Sequence, residues 1–240
     1  MAALEAGTGG PEPGPEMGKA IMDPYRGLVL FGPPGVGKGV QAAILGKNFG
    51  LVHLSTGDAI REEIKKGTTL GKRVQDAVAK GQLVDDATVL GIVMSRIDLP
   101  EYGNGFIMDG FPRTLKQAEM FDKLLAGRKR KVTHALFIVA PDEVVLKRLG
   151  GRLVCSKCGA TYNEETKRPK VDGVCDACKG PVGRRKDDDP KTQRDRLDQY
   201  HAQTTPLADY YTRTGVLKKV NGDQPIDAVA AEISKAIGGR

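Results

Sequence analysis

The sequence contains no apolar run near the ~18 residues that a membrane-crossing helix needs; its longest candidates, at 28–31 and 135–140, have the length of strands. Its opening stretch, MAALEAGTGGPEPGPEMGKA, lacks the basic start and the apolar core of a secretory signal, so a cytoplasmic protein is expected. Cysteine is missing outside 155–178, which argues against the dispersed disulfide framework of a small secreted domain. No internal repeat is visible.

What is present is a chain of 240 residues, 40% apolar and 28% charged, enough for one substantial core and a small inserted unit. Residues 1–22 are rich in Gly, Pro and Glu without apolar periodicity and read as a disordered tail, leaving 23–240 as the folded part. The formal net charge of +7 points to polyanionic partners, either nucleic acid or small phosphorylated metabolites. The positions of the arginines decide between them.

Short apolar strands are expected at 28–31, 51–54, 106–109, 134–140 and 216–220. Helices are expected from the first glycine-rich turn to about 46, and at 57–66, 70–80, 86–97, 115–126, 141–149 and 226–237. A further long helix opens at Asp189-Pro190, with proline in its first turn. Strands alternating with helices imply a parallel sheet covered on both faces, here a three-layer α/β fold with five strands. Residues 151–188 break the pattern, being rich in Gly, Lys and Cys and poor in large apolar residues, and read as an insertion.

The first expected strand runs straight into Gly32-Pro33-Pro34-Gly35-Val36-Gly37-Lys38-Gly39 and then a helix. This is the G-x-x-x-x-G-K pattern in the strand–turn–helix setting that gives it meaning. Glycines let backbone N–H groups turn around phosphate oxygens, the helix N-terminus adds partial positive charge, and Lys38 supplies a point charge. Where such loops usually place Ser or Thr after the lysine, this chain has Gly39.

Two Cys-x-x-Cys hooks, Cys155/Cys158 and Cys175/Cys178, sit on either side of sixteen residues inside the insertion. Their spacing suits four thiolates on a tetrahedral Zn²⁺ with no position left open for catalysis, and metal binding would supply folding energy that so polar a segment lacks.

Further segments make a family resemblance specific. Ser55-Thr56-Gly57-Asp58 with Arg61, then Gly81-Gln82-Leu83-Val84, then Asp109-Gly110-Phe111-Pro112-Arg113 with Gln117 follow the phosphate loop in order. With it they resemble the adenylate kinases of the nucleoside monophosphate kinase family, zinc-lid branch, over most of 27–238. The resemblance implies a P-loop NTPase fold with a helical monophosphate-binding arm at 55–84 and a zinc lid at 151–188. It implies reversible phosphoryl transfer from Mg-ATP to AMP, giving two ADP, by a monomer with no nucleic-acid or membrane partner. ATP would be held by Gly35, Val36, Gly37, Lys38, Gly39, Val40, Arg148, Arg152, Thr161, Tyr162 and Gln224. AMP would be held by Thr56, Arg61, Gln82, Leu83, Val84, Gly110, Phe111, Pro112, Arg113, Gln117, Arg185 and Arg196, with Gln117 on the adenine edge. Lys38, Asp109, Arg113, Arg152, Arg185 and Arg196 would serve the transfer itself, Asp109 through water on Mg²⁺, while Asp187 and Asp188 would space the arginines. The three histidines, His53, His134 and His201, are expected to be structural. In one respect the chain departs from the family: after Lys-Gly it has Val40 in place of Thr.

Three alternatives stand beside this reading. A nucleic-acid-binding zinc ribbon on an NTPase core fits the charge and the hooks, but the insertion offers only Tyr162 as a stacking platform. A kinase of UMP, CMP or GMP fits the same motifs. A catalytically weak scaffold rests on Val40 alone.

Overall fold

A computed structural model describes residues 25–80, 82–184 and 188–238. The expected tail at 1–22, Gly81, Arg185 and Asp187 lie outside the described residues.

Strand β1 (Arg26–Phe31) is buried along its whole length because it is flanked on both sides, by β3 (Gly105–Asp109) and β4 (His134–Val139). β2 (Val52–Ser55) pairs with the far side of β3, and β8 (Leu217–Asn221) with the far side of β4. All four pairings are parallel, giving the five-stranded order β2-β3-β1-β4-β8.

The two-residue period of β1 divides the core. Leu28 and Leu30 face one layer with Ile107, Leu136 and Ile138, covered by α1 (Lys38–Phe49) and α9 (Ile226–Ala236). Val29 and Phe31 face the other, where α4 (Asp86–Ile97), α5 (Leu115–Ala126) and α8 (Leu207–Arg213) contribute Val93, Ile97, Phe121 and Tyr211. Both faces of the sheet centre are therefore apolar, which is why β1, β3 and β4 appear in the sequence as continuous apolar runs, whereas the edge strand β8 carries exposed lysines.

Helices α2 (Thr56–Lys66) and α3 (Thr69–Ala79), packed on each other, form an excursion after β2. Ser55 caps α2 by accepting from the Asp58 N–H at 3.2 Å. A second excursion is mounted on α6 (Asp142–Gly150) and α7 (Pro190–Gln199), which pack through Val145, Leu149 and Leu197. It contains a small antiparallel sheet of β5 (Arg152–Cys155), β6 (Thr161–Asn163) and β7 (Val182–Gly183), in the order β6-β5-β7.

The long helix expected from Asp189-Pro190 is not continuous. After α7 the chain makes a π-helical turn over Tyr200–Thr204 before α8. The Thr205 N–H bonds to the Tyr200 carbonyl five residues back at 3.0 Å, and Pro206 has no N–H with which to continue an α-helical ladder.

Candidate active site

The carboxyl ends of β1, β2, β3 and β8 open into one cleft of about 810 Å³, at the edge where open parallel sheets bind ligands. On one side stands the glycine-rich loop. Gly37 occupies the cap of α1 at φ 104°, a left-handed conformation costly for any residue with a Cβ, and no side chain blocks the helix start. The segment Gly35 to Val40 lines the cleft there. The Lys38 ammonium donates to the carbonyls of Gly32 at 2.9 Å and Pro33 at 2.8 Å. Burial lowers its pKa to about 8, with Arg113 and Arg152 adding to the effect and Asp109 opposing it. A cation held this way is a strong site for phosphate, which would relieve the same penalty.

Arg148 and Arg152, four residues apart, face the same cleft. Arg148 donates to the Gly222 carbonyl at 2.7 Å and so ties α6 to the loop after β8, where Gln224 bonds the Asn221 carbonyl at 2.8 Å. Arg152 Nε donates to Asp188 at 2.7 Å, and Arg196 approaches the same carboxylate at 3.3 Å. Asp188 thus joins the base of the inserted unit to α7. The sequence alone left it readable as a solvated charge.

The opposite side is built from β2, α2 and the turn after β3. Thr56 Oγ1 donates to the Gly110 carbonyl at 3.0 Å, which holds the starts of the two segments together. Gly110 has φ 77°, and a Cβ there would stand 3.2 Å from Arg113 Nη2 and 3.3 Å from Thr56 Oγ1. Arg113 is clamped at several points. Its Nε donates to the Gly110 carbonyl at 2.8 Å, its N–H to Gln117 Oε1 at 2.7 Å, and its own carbonyl accepts from Thr204 at 3.0 Å. Burial and the nearby charge of Arg196 lower its pKa from the ordinary arginine value. Arg61, bonded to Asp58, and Gln82, Leu83 and Val84 complete this wall.

Asp109 sits at the end of β3 with 13% of its side chain exposed, facing His53 Nε2 at 3.4 Å. Its Oδ2 would lie 3.4 Å from a Cβ at Gly39, so glycine after the loop lysine leaves room beside this carboxylate.

In the inserted unit the four cysteine Sγ atoms lie within 4.8 Å of one another, with Cys155–Cys178 at 3.5 Å and Cys158–Cys175 at 3.6 Å. A disulfide requires ~2.05 Å. Four thiolates at ~2.3 Å from a tetrahedral ion stand ~3.8 Å apart, so the donor set fits such a metal. Tyr162 is 4% exposed and packs on this cluster, its hydroxyl accepting from the Asp176 N–H at 2.8 Å. Along with Thr161 it also borders the cleft.

The cleft therefore gathers nearly all the described residues expected to touch nucleotide. Phe111 differs: its ring is fully buried against Phe121, with centroids 5.1 Å apart, and it does not line the cleft, although its neighbours Gly110 and Pro112 do. Among the residues that the sequence did not single out, two hold neighbouring parts of the site. Gln41, 3% exposed, donates to the Ile226 carbonyl and borders the cleft beside the phosphate loop. Thr204 holds Arg113, and the signal that could have found it was Pro206 interrupting the helix two residues later.

A family model described as "Adenylate kinase" matches residues 30–216. A protein named "Adenylate kinase" from Carboxydothermus hydrogenoformans is 47% identical over 210 residues, covering 88% of this chain and 98% of the relative. One of the same name from Clostridium acetobutylicum is 47% identical over 211 residues, with 88% and 98% covered. Another from Caldicellulosiruptor bescii is 44% identical over 211 residues, again with 88% and 98% covered.

Proposed function

The chain belongs to the adenylate kinase family and transfers a phosphoryl group reversibly from ATP to AMP, giving two ADP, and on that premise we propose which of its residues carry each part of the reaction. The Gly35–Val40 loop and Lys38 receive the ATP phosphates, with Arg148 and Gln224 on the nucleoside side. Thr56, Arg61 and Arg113 receive the AMP phosphate, and Gln117 faces its base. Arg113, Arg152 and Arg196, with Arg185, surround the phosphoryl group in transit.

The observation that carries this assignment is the crowding of Lys38, Arg113, Arg152 and Arg196 around one cleft between the two walls. Such crowding is unfavourable until anions enter. Transfer proceeds by attack of an AMP phosphate oxygen on the γ-phosphorus while the bond to the ADP oxygen breaks. Negative charge then spreads over the equatorial oxygens, and fixed cations stabilise it without reorganising. No residue needs to act as a nucleophile. Mg²⁺, bound with ATP, would neutralise phosphate charge, and Asp109 would hold its water ligands.

The arm at 55–84 and the lid at 151–188 are read as hinged bodies whose closure excludes water, the competing acceptor. Cys155, Cys158, Cys175 and Cys178 would hold structural Zn²⁺, which would fix the lid by replacing a core that its composition cannot build. A monomeric, cytoplasmic enzyme of adenine nucleotide balance is the setting this reading implies. Among the described residues no helix is long and apolar enough to cross a membrane. The nucleic-acid alternative loses its one stacking platform, because Tyr162 is buried against the cysteines.

The test is coupled turnover of Mg-ATP against AMP, UMP, CMP and GMP, each with and without a tight zinc chelator. Fast turnover confined to AMP, with lower thermal stability after chelation, is expected. Equal turnover of another monophosphate would overturn the AMP assignment, and unchanged stability after verified metal removal would overturn the structural role of zinc.

A further inference from the structure

Gln117 is 2% exposed, yet it borders the monophosphate side of the cleft. A buried amide has two orientations that differ only by exchange of its oxygen and nitrogen. Here both ends meet partners that permit only one. The Arg113 N–H is an obligate donor and meets Oε1 at 2.7 Å, whereas Nε2 donates to Asp86 Oδ1 at 2.8 Å. A carboxylate accepts only, so the reversed amide would set oxygen against oxygen and NH₂ against N–H.

Asp86 is the first residue of α4, directly after the cap residue Asp85, whose side chain accepts from the Thr88 N–H at 2.9 Å. Thr114 and Lys116 approach the Asp86 carboxylate at 3.5 and 3.7 Å, and only 23% of its side chain is exposed.

After these bonds Gln117 retains one N–H and one oxygen lone pair, in a fixed order. Adenine presents an N6 amino donor beside the N1 acceptor. Hypoxanthine presents the reverse, an O6 acceptor beside an N1–H donor, in nearly the same shape. An amide free to turn over would pair with either. A locked one favours the first.

We infer that Asp86 is a specificity-determining positioning residue: by locking the orientation of the Gln117 amide it selects an adenine monophosphate over a 6-oxopurine monophosphate. The inference rests on the assignment of Gln117 to the monophosphate base. It concerns a residue 31 positions away in sequence that need not touch the nucleotide.

The experiment compares the full chain with Asp86→Ala, Asp86→Asn and Gln117→Ala. For each, kcat/KM with AMP and with IMP is measured at saturating Mg-ATP, Kd for both is measured by competition, and KM for ATP and Tm are recorded. Asp85 still caps α4 in the Asp86 variants, so folding is expected to survive. Asp86→Ala should lower the AMP-to-IMP preference on the order of tenfold, the worth of about one hydrogen bond to a charged group, with KM for ATP unchanged. Asp86→Asn, whose amide oxygen can still accept, should restore most of the preference. If Gln117→Ala lowers the preference and Asp86→Ala leaves it at the wild-type value, the lock is wrong although Gln117 reads the base. If Gln117→Ala also leaves it unchanged, the assignment of Gln117 fails and the inference falls with it.

Discussion

Asp188, with 4% of its side chain exposed, accepts from Arg152 Nε at 2.7 Å and holds that arginine at the root of the inserted unit. Arg196 comes to the same carboxylate at 3.3 Å from α7, so one buried anion spaces two cations that would otherwise repel. Removing one partner of a fully enclosed ion pair costs about 3–5 kcal/mol. Both arginine side chains here keep 18% exposure, so roughly 2 kcal/mol is expected for Asp188→Asn without substrate. Bound phosphates should recover part of that loss by taking over as the counter-charge. Turnover should fall on the order of 10² because the arginines lose their fixed positions. Thermal melts with and without a bisubstrate analogue, alongside kcat, check this. An equal loss of Tm in both states would show that Asp188 acts on the fold and not on arginine placement.

Lys38 makes the enzyme sensitive to alkaline pH. Its pKa is lowered to about 8, chiefly by burial, and bound phosphate should raise it again. Below about 8 both free and bound forms carry the proton, and affinity for an ATP analogue should be flat. Above that value the free lysine is neutral and binding must take up a proton, so affinity should fall by up to about tenfold per pH unit. The sign for folding is opposite. The unfolded chain binds the proton up to the ordinary lysine value while the ligand-free fold releases it near 8, so this residue's contribution to stability rises with pH between those two values. Calorimetry of a nonhydrolysable ATP analogue in buffers of different ionisation enthalpy measures the proton uptake directly. Its absence above pH 8, or its survival in Lys38→Met, would overturn the assignment.

Legibility in the sequence followed the physics of burial. The central strands of the large sheet were readable because residues such as Val29 and Leu30 are buried on opposite faces, leaving unbroken apolar runs. The lid strands β6 and β7 were not, since three polar-flanked residues and two residues carry no period, and their pairing depends on the cysteine cluster. The glycine loop and the cysteine hooks were readable because local spacing alone dictates their chemistry. Asp86 was not, because it is defined by what tertiary packing brings against it, Gln117 from 31 residues away. Asp188 was expected to space arginines only through the family resemblance, since its partner Arg152 lies 36 residues away and no local pattern links them. The π-helical turn was passed over because its polar residues continue a helical pattern, and only Pro206 marks the break.

Val40 is the one departure from the family at the phosphate loop. It lies in the first turn of α1, half-buried, and borders the cleft. Thr has nearly the same volume and the same branching at Cβ, so Val40→Thr adds a hydroxyl with little steric change. A hydrogen bond to a charged phosphate is worth about 1.5–3 kcal/mol, and the lower end of that range is about tenfold. The expected result is a rise of up to about tenfold in kcat/KM for ATP, with KM for AMP unchanged. An unaltered kcat/KM would mean that the loop N–H groups and Lys38 already saturate the phosphate oxygens.

Thr204 tests whether the π-helical turn serves the reaction. Its hydroxyl donates to the Arg113 carbonyl at 3.0 Å, 91 residues away, while Gln117 holds the N–H of the same residue. The backbone of Arg113 is thereby fixed on both sides, and its guanidinium projects from a short, braced turn. Thr204 is 7% exposed, so replacing it with the isosteric Val would leave the part-buried Arg113 carbonyl without this donor. An unsatisfied group of this kind costs about 1–3 kcal/mol, part of which should appear as lower stability and part as a looser arginine. For Thr204→Val, kcat/KM for AMP should drop on the order of tenfold while KM for ATP stays constant, because only the monophosphate wall is disturbed. Thr204→Ser keeps the hydroxyl and should retain most of the activity. A Val variant that loses Tm but keeps its AMP kinetics would assign the turn to folding alone; selective loss on the AMP side would identify it as the brace of the arginine that meets the phosphoryl group.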